Sequence, residues 1–145
     1  FFRTRQKDGY PILVAPADAA EAPDVEAGTI MGFATFGDFR AWPGYRFTVE
    51  HSVHVKDGLR GRGTGTALMH ELIARGTRLG KHVMIAGVDA DNTGSIRMHE
   101  RLGFVRTGHL KEVGWKFGRW LDLVFLQAHL LRSRPRRAGA GPRAR

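Results

Sequence analysis

The 145-residue chain contains no cysteine, which excludes a disulfide framework, a thiol nucleophile and cysteine-based metal sites. Nor does it contain an apolar run approaching the roughly 20 residues that a membrane-spanning helix needs. No secretory leader is recognisable, and the expectation is a cytoplasmic protein with no membrane partner. Acids are scarce beside bases, 14 against 23, for a net charge of +9. Much of that excess is local, because Arg132, Arg134, Arg136, Arg137, Arg143 and Arg145 stand in a Pro-, Gly- and Ala-rich stretch with no acid beside them. That composition predicts a disordered basic tail over 132–145 after a single domain over 1–131. The tail has no aromatic residue on which a base could stack, so a nucleic-acid partner is not expected. The chain also opens Phe1-Phe2-Arg3 without an initiator Met and reads there like the interior of a helix, as if truncated at its N-terminus.

An apolar content of 42% is enough for one core. Phe2 to Gly9 has helical composition. Ile12 to Ala15 and Thr29 to Phe36 read as a hairpin across an acidic turn, Pro16 to Gly28. Tyr45 to Val55, rich in Val, Thr and aromatics, reads as a long central strand. Thr64 to Leu79 spaces Ala67, Leu68, Leu72, Ile73 and Leu79 as a helix, and Val83 to Val88 is an apolar run of buried-strand type. Asp91-Asn92-Thr93 opens a short helix that stops at Gly103. Phe104 to Leu110 and Trp120 to His129 complete the set as a strand pair around a glycine-rich connection. The predicted fold class is a mixed α/β sheet flanked by helices.

The chemistry concentrates after the central strand, where Arg60, Gly61, Arg62, Gly63, Thr64 and Gly65 lead into a helix. Glycines let the backbone approach an anion, and the helix start supplies N–H donors. A Walker loop would end Gly-Lys-Ser/Thr, whereas this one continues Gly65-Thr66-Ala67. A dinucleotide fingerprint would need glycine where Thr66 or Leu68 stands. The spacing Arg-Gly-x-Gly-x-Gly after a strand is of the type that holds coenzyme A, with an ordinary turn as the alternative. Glu50, a carboxylate in the middle of a Val- and Thr-rich strand, is a candidate general base, or else an exposed strand residue. Arg40, Tyr45 and Arg46 stand just before it and could hold a substrate carboxylate. His51 and His54, three apart in a strand, point to opposite faces and cannot share one metal ion, so no metal is expected.

Four separated motifs now agree: Thr48-Val49-Glu50-His51-Ser52-Val53, His82-Val83-Met84, Ser95 through Phe104 (Ser-Ile-Arg-Met-His-Glu-Arg-Leu-Gly-Phe) and Lys116-Phe117-Gly118-Arg119-Trp120-Leu121-Asp122. On these the chain resembles the GNAT superfamily of acetyl-CoA-dependent N-acetyltransferases, and within it the phosphinothricin and methionine sulfoximine acetyltransferase group, from Phe2 to about Leu130.

The resemblance implies a mostly antiparallel sheet splayed between the cofactor-binding strands, preceded by a further strand and helix. It implies that the backbone of Val53, His54 and Val55 runs beside the pantetheine arm of acetyl-CoA and that the loop Arg60 to Gly65 takes its pyrophosphate. Asn92 and Ser95 then lie near the thioester, and Asn92 can cap its helix as well. The backbone at Lys81, His82 and Val83 walls the acceptor side. Many superfamily members have tyrosine where this chain has His99, which makes His99 a candidate acid for the departing thiolate or, alternatively, a surface histidine. His54 replaces a tyrosine usual in the family. With no cysteine available, transfer should be direct, in a ternary complex with a small amino-acid-like amine, and relatives are commonly homodimers. The alternatives are another amine acceptor (a protein N-terminus, an aminoglycoside or a polyamine) or a non-catalytic acyl-CoA- or nucleic-acid-binding module.

Overall fold

The computed structural model describes residues 9–18, 20 and 22–130. The helix expected from Phe2 and the tail from Arg132 lie outside the described residues, save Gly9. Strands β1 (Ile12–Pro16), β2 (Ile30–Asp38) and β3 (Thr48–Val55) come first, followed by helix α1 (Thr64–Arg78), strand β4 (Val83–Asp89) and helix α2 (Thr93–Arg101). Strands β5 (Val105–Lys116) and β6 (Arg119–His129) close the order. Among the described residues these six strands share one sheet, β1-β2-β3-β4-β6-β5, in which only β3 and β4 run parallel.

One face of the sheet is apolar by the two-residue period of a strand: Val49 on β3, Met84, Ala86 and Val88 on β4, and Val124, Leu126 and Ala128 on β6 are buried together. Leu68, Met69 and Leu72 of α1 and Ile96 of α2 pack on that same face, so these two helices and the sheet enclose the main core of the described residues. A second, smaller cluster joins Ala17, Ala22 and Met31 with Val25 and Leu59. The acidic connection between β1 and β2 is therefore not a free turn; it docks against the segment that leads into α1.

Two boundaries differ from the sequence expectation by three residues or more. The central strand starts at Thr48, since Pro43–Tyr45 coil into a 3-10 turn led by Pro43, whose fixed φ suits a helical first position. The strand expected to end at Leu110 continues to Lys116. A bulge between Leu110 and Gly114 absorbs the glycine-rich stretch, with Glu112 at a φ of 54°. Phe117 and Gly118, both at positive φ, then make a two-residue hairpin turn into β6.

Candidate active site

The parallel ladder between β3 and β4 runs only from Thr48↔Val83 to His51↔Ala86. Beyond it, Ser52 to Val55 pair with β2 alone and Gly87 to Asp89 pair with β6 alone, so the two strands separate. Ser52 to Val55 thus present one ladder edge with no strand partner among the described residues. An extended ligand can add to such an edge through main-chain hydrogen bonds. The expected splay is present, and it sits beside the motif Thr48 to Val53.

The glycine loop follows at once. Gly61 and Gly63 take φ values of 80° and 82°, the left-handed conformation that glycine adopts without strain. Gly63 is the N-cap of α1, and among the described residues no side-chain hydrogen bond caps that helix. Uncapped donors at the positive end of a helix are suited to an anion such as a pyrophosphate. A Cβ on Gly65 would lie 3.2 Å from Met98 Sδ and 3.4 Å from Val55 Cγ2. The start of α1, the end of β3 and the side of α2 therefore meet at Gly65, with Thr64 beside it opening the helix.

The loop's two arginines are less available than their charge implies. Arg62 donates to both carboxylate oxygens of Asp24, at 2.8 and 2.7 Å, and this pairing holds the Asp24 carboxyl down to about 2. Arg60 makes an exposed ion pair of 3.1 Å with Asp57, a type worth little in water. Main-chain donors consequently dominate the loop as an anion site. The residues present fit a coenzyme A pyrophosphate by backbone geometry more than by net charge.

Glu50 is half-buried and faces away from the helices. A Cβ placed on the neighbouring Gly87 would meet Glu50 Oε2 at 3.2 Å, Leu123 Cδ1 at 3.5 Å and Phe125 Cε1 at 3.6 Å. Glycine at 87 thus keeps open the space in front of the carboxylate, which has an apolar floor from β6. Gly87 is also the first residue of β4 past the last rung shared with β3, so this space lies at the mouth of the splay.

Asn92 caps α2, its Oδ1 accepting the Ser95 N–H at 3.2 Å. Ser95 is partly exposed and its Oγ lies 3.4 Å from His99 Nδ1. His99 is not a surface histidine: it is buried, with Nδ1 2.7 Å from the Ser95 carbonyl and Nε2 2.9 Å from Nε2 of His51. Phe104 stacks on His51 and meets His99 edge-on. Burial, reinforced by His99, pushes the His51 imidazole down to about 3. Burial also lowers His99, against a hydrogen bond to Ser95 that works the other way. His54 stands on the other side of the sheet, exposed and stacked on Phe33.

Of the proposed acceptor residues, Arg46 and Lys81 to Val83 meet at the opposite end of the β3–β4 pair. Lys81 Nζ donates to the Arg46 carbonyl at 2.7 Å and to the Tyr10 hydroxyl at 2.9 Å, and Tyr10 in turn donates to Asp38. The backbone N–H groups of His82 and Val83 donate to the Phe47 carbonyl, binding the start of β4 to the residue that leads into β3. Arg46 folds its guanidinium over Phe47 and onto the Pro43 carbonyl. Arg40 and Tyr45 are exposed, and no contact brings them to Glu50. Structure adds two residues that spacing alone did not mark. Gly87 could have been suspected as a glycine inside a strand, which signals close approach. His51 could have been suspected because it shares the inward phase of Val49 and Val53.

Residues 4–104 match the family model for the acetyltransferase (GNAT) family. An L-methionine sulfoximine/L-methionine sulfone acetyltransferase of Pseudomonas aeruginosa is 49% identical over 130 residues, covering 90% of this chain and 71% of that protein. The yncA structure from Salmonella typhimurium, solved with its cofactor acetyl-CoA, superimposes with a TM-score of 0.77 at 48% identity, over 87% of this chain and 68% of that one. A phosphinothricin acetyltransferase of Sinorhizobium meliloti in complex with acetyl-CoA gives a TM-score of 0.75 at 39% identity, over 84% of this chain and 62% of that one.

Proposed function

The chain belongs to the GNAT acetyltransferase family, and we propose that it transfers the acetyl group of acetyl-CoA to the amine of a small amino-acid-like compound of the methionine sulfoximine or phosphinothricin type. The observation that carries this reading is the opening of the sheet after His51↔Ala86, with Glu50 at its mouth and the uncapped start of α1 beyond it. Relatives named for those two acceptor types support the choice of amine.

In this reading Val53, His54 and Val55 align the pantetheine arm. Gly61, Gly63, Thr64 and Gly65 receive the pyrophosphate on backbone N–H groups, with Arg60 and Arg62 at the rim. Asn92 and Ser95 lie at the acyl end. An amino group is mostly ammonium at neutral pH, so Glu50 takes its proton, directly or through a water, and the free amine attacks the thioester carbonyl. Collapse of the tetrahedral adduct breaks the carbon–sulfur bond and leaves an amide and a thiolate. The proton that the adduct nitrogen sheds on becoming an amide passes to the thiolate through the Ser95 hydroxyl, which accepts one proton as it gives up another, with the buried His99 behind it. Arg40, Tyr45 and Arg46, with the wall at Lys81, His82 and Val83, hold the acceptor's carboxylate.

The exposed Trp115, Phe117 and Trp120 of the β5–β6 hairpin support a homodimer through that hairpin. No metal and no nucleic-acid partner enter the scheme, and the cytoplasm, where acetyl-CoA and free amino acids occur together, is the compartment it implies.

The test is thiol release from acetyl-CoA over a panel of methionine sulfoximine, methionine sulfone, phosphinothricin, free amino acids, polyamines and an aminoglycoside. Turnover of the amino-acid-like group is expected, with Glu50→Gln slower by roughly 100- to 10,000-fold. Turnover confined to polyamines or the aminoglycoside would refute the acceptor class, and an unaffected Glu50→Gln would remove Glu50 as base.

A further inference from the structure

The contacts of the buried histidine pair call for more protons than two neutral rings carry. The carbonyls of Ser95 and Ile85 can only accept, so the contacts at the two ends each require an N–H on the facing Nδ1, at 2.7 Å on His99 and 3.3 Å on His51. The Nε2···Nε2 contact of 2.9 Å requires a third proton between the rings. A neutral imidazole has one N–H, so a neutral pair makes two of the three hydrogen bonds.

Omitting the middle bond sets two nitrogen lone pairs against each other at 2.9 Å, and omitting the Ser95 bond sets a lone pair against an oxygen at 2.7 Å. Omitting the Ile85 bond costs least, because that contact is already the longest at 3.3 Å. The pair is therefore locked: His99 carries its proton on Nδ1 and gives it to Ser95, and His51 carries its proton on Nε2 and gives it to His99. Few other charges bear on the pair. Glu50 and Ser52, flanking His51, point to the other face of the sheet, and Glu100 and Arg101 on α2 are exposed. Phe104 closes the remaining side.

The location of this lock gives it a role. His51 forms the last rung of the β3–β4 ladder and is next in the chain to Glu50. His99 lies one helical turn below Ser95, whose N–H is capped by Asn92. We propose that His51 and His99 are positioning residues, a tautomer-fixed pair that sets the Asn92–Ser95 turn against the strand carrying Glu50 and so holds the acyl end of acetyl-CoA in register with the base. This rests on the assignment of the Asn92–Ser95 turn to acetyl-CoA under the proposed function.

Two measurements test it together. Long-range proton–nitrogen spectra of the 15N-histidine-labelled protein, from roughly pH 8 to pH 5.5 across the ordinary histidine range, should show one ring fixed as Nδ1–H and another fixed as Nε2–H. The Nε2–H ring should vanish in His51→Gln. Glutamine can extend an N–H to His99 but cannot titrate, so His51→Gln should keep kcat near wild type. His51→Leu should lose about tenfold or more, as expected when reacting groups shift by a fraction of an ångström to 1 Å, with the KM for the amine little changed. Finding both rings in the same tautomer, or averaged between tautomers, overturns the proposal, as does a Leu variant with wild-type kcat or a Gln variant as slow as Leu. Should Leu fail to fold, the spectra and the Gln variant decide. If the wild type acetylates no amine, the proposed function fails; the spectra still decide the lock, and acetyl-CoA binding to His51→Gln and His51→Leu decides its link to the cofactor.

Discussion

Replacing Gly32 by alanine tests how tightly β3, the strand proposed to align acetyl-CoA, is fixed. Gly32 pairs with Val55, and a Cβ added there would lie 2.6 Å from the His54 carbonyl oxygen, 3.2 Å from Leu68 Cδ1 and 3.4 Å from Val55 Cα. A carbon needs about 3.3 Å from a carbonyl oxygen, so β2 and β3 must part by about 0.7 Å where the ladder holds them together. Unlike a side-chain tip, a backbone carbonyl in a ladder cannot swing aside. Overpacking of this kind costs roughly 1–3 kcal/mol, which for a chain of this size lowers Tm by roughly 2–4 °C per kcal/mol. The same displacement moves His54 and Val55, so the KM for acetyl-CoA should rise while the KM for the amine changes less. Gly37→Ala on the same strand is the control, since nothing lies within 4 Å of its Cβ, and its Tm should stay near wild type. Thermal unfolding with steady-state kinetics decides the matter. A Gly32→Ala protein with wild-type Tm and wild-type KM for acetyl-CoA would refute a rigid β2–β3 seam.

Two further expectations follow from the same geometry. Gly87→Val fills the space in front of Glu50 and should lower kcat/KM for the amine by roughly tenfold or more while leaving acetyl-CoA affinity unchanged; saturation curves for the two substrates separate these effects, and an unaffected amine curve would show that the acceptor does not use this space. The acid stability of the protein should carry the signature of a histidine buried neutral. His51 is lowered from 6.5 to about 3, so below pH 6.5 the unfolded chain takes up a proton that the folded protein refuses until about pH 3. Stability associated with this group is complete above pH 6.5 and is lost as pH falls through that window. Denaturant midpoints of wild type and His51→Gln should therefore converge or cross in the variant's favour from pH 7 downward, and a gap independent of pH would count against a neutral buried His51.

The order of strands and helices was legible because each core element has a strong period: Leu68, Leu72 and Ile73 repeat as a helix, and the run from Val83 to Val88 as a buried strand. The shape of the glycine loop was legible because left-handed backbone leaves glycines in the sequence, as at Gly61 and Gly63. What escaped was decided by contacts distant in the chain. Arg62 reads as a free cation until the β1–β2 connection brings Asp24 to it. His99 reads as a surface residue until β3 supplies His51, 48 positions away. The stretch from Lys111 to Lys116 reads as a loop because its glycine and charges hide a strand that tolerates a bulge.

The single parallel pair in an otherwise antiparallel sheet also divides responsibility within the site. Everything assigned to acetyl-CoA comes from chain on the outgoing side of that seam, residues 53–65 and 92–95. What is proposed to face the amine comes from elsewhere: 40–46 and 81–83 at the incoming end, and Gly87, Leu123 and Phe125 across the gap. Only Glu50 and the histidine pair beside it are assigned a part in both halves. On these assignments changes of acceptor can accumulate on one bank of the cleft without disturbing the other, whereas a change at position 50, 51 or 99 alters the register between the two.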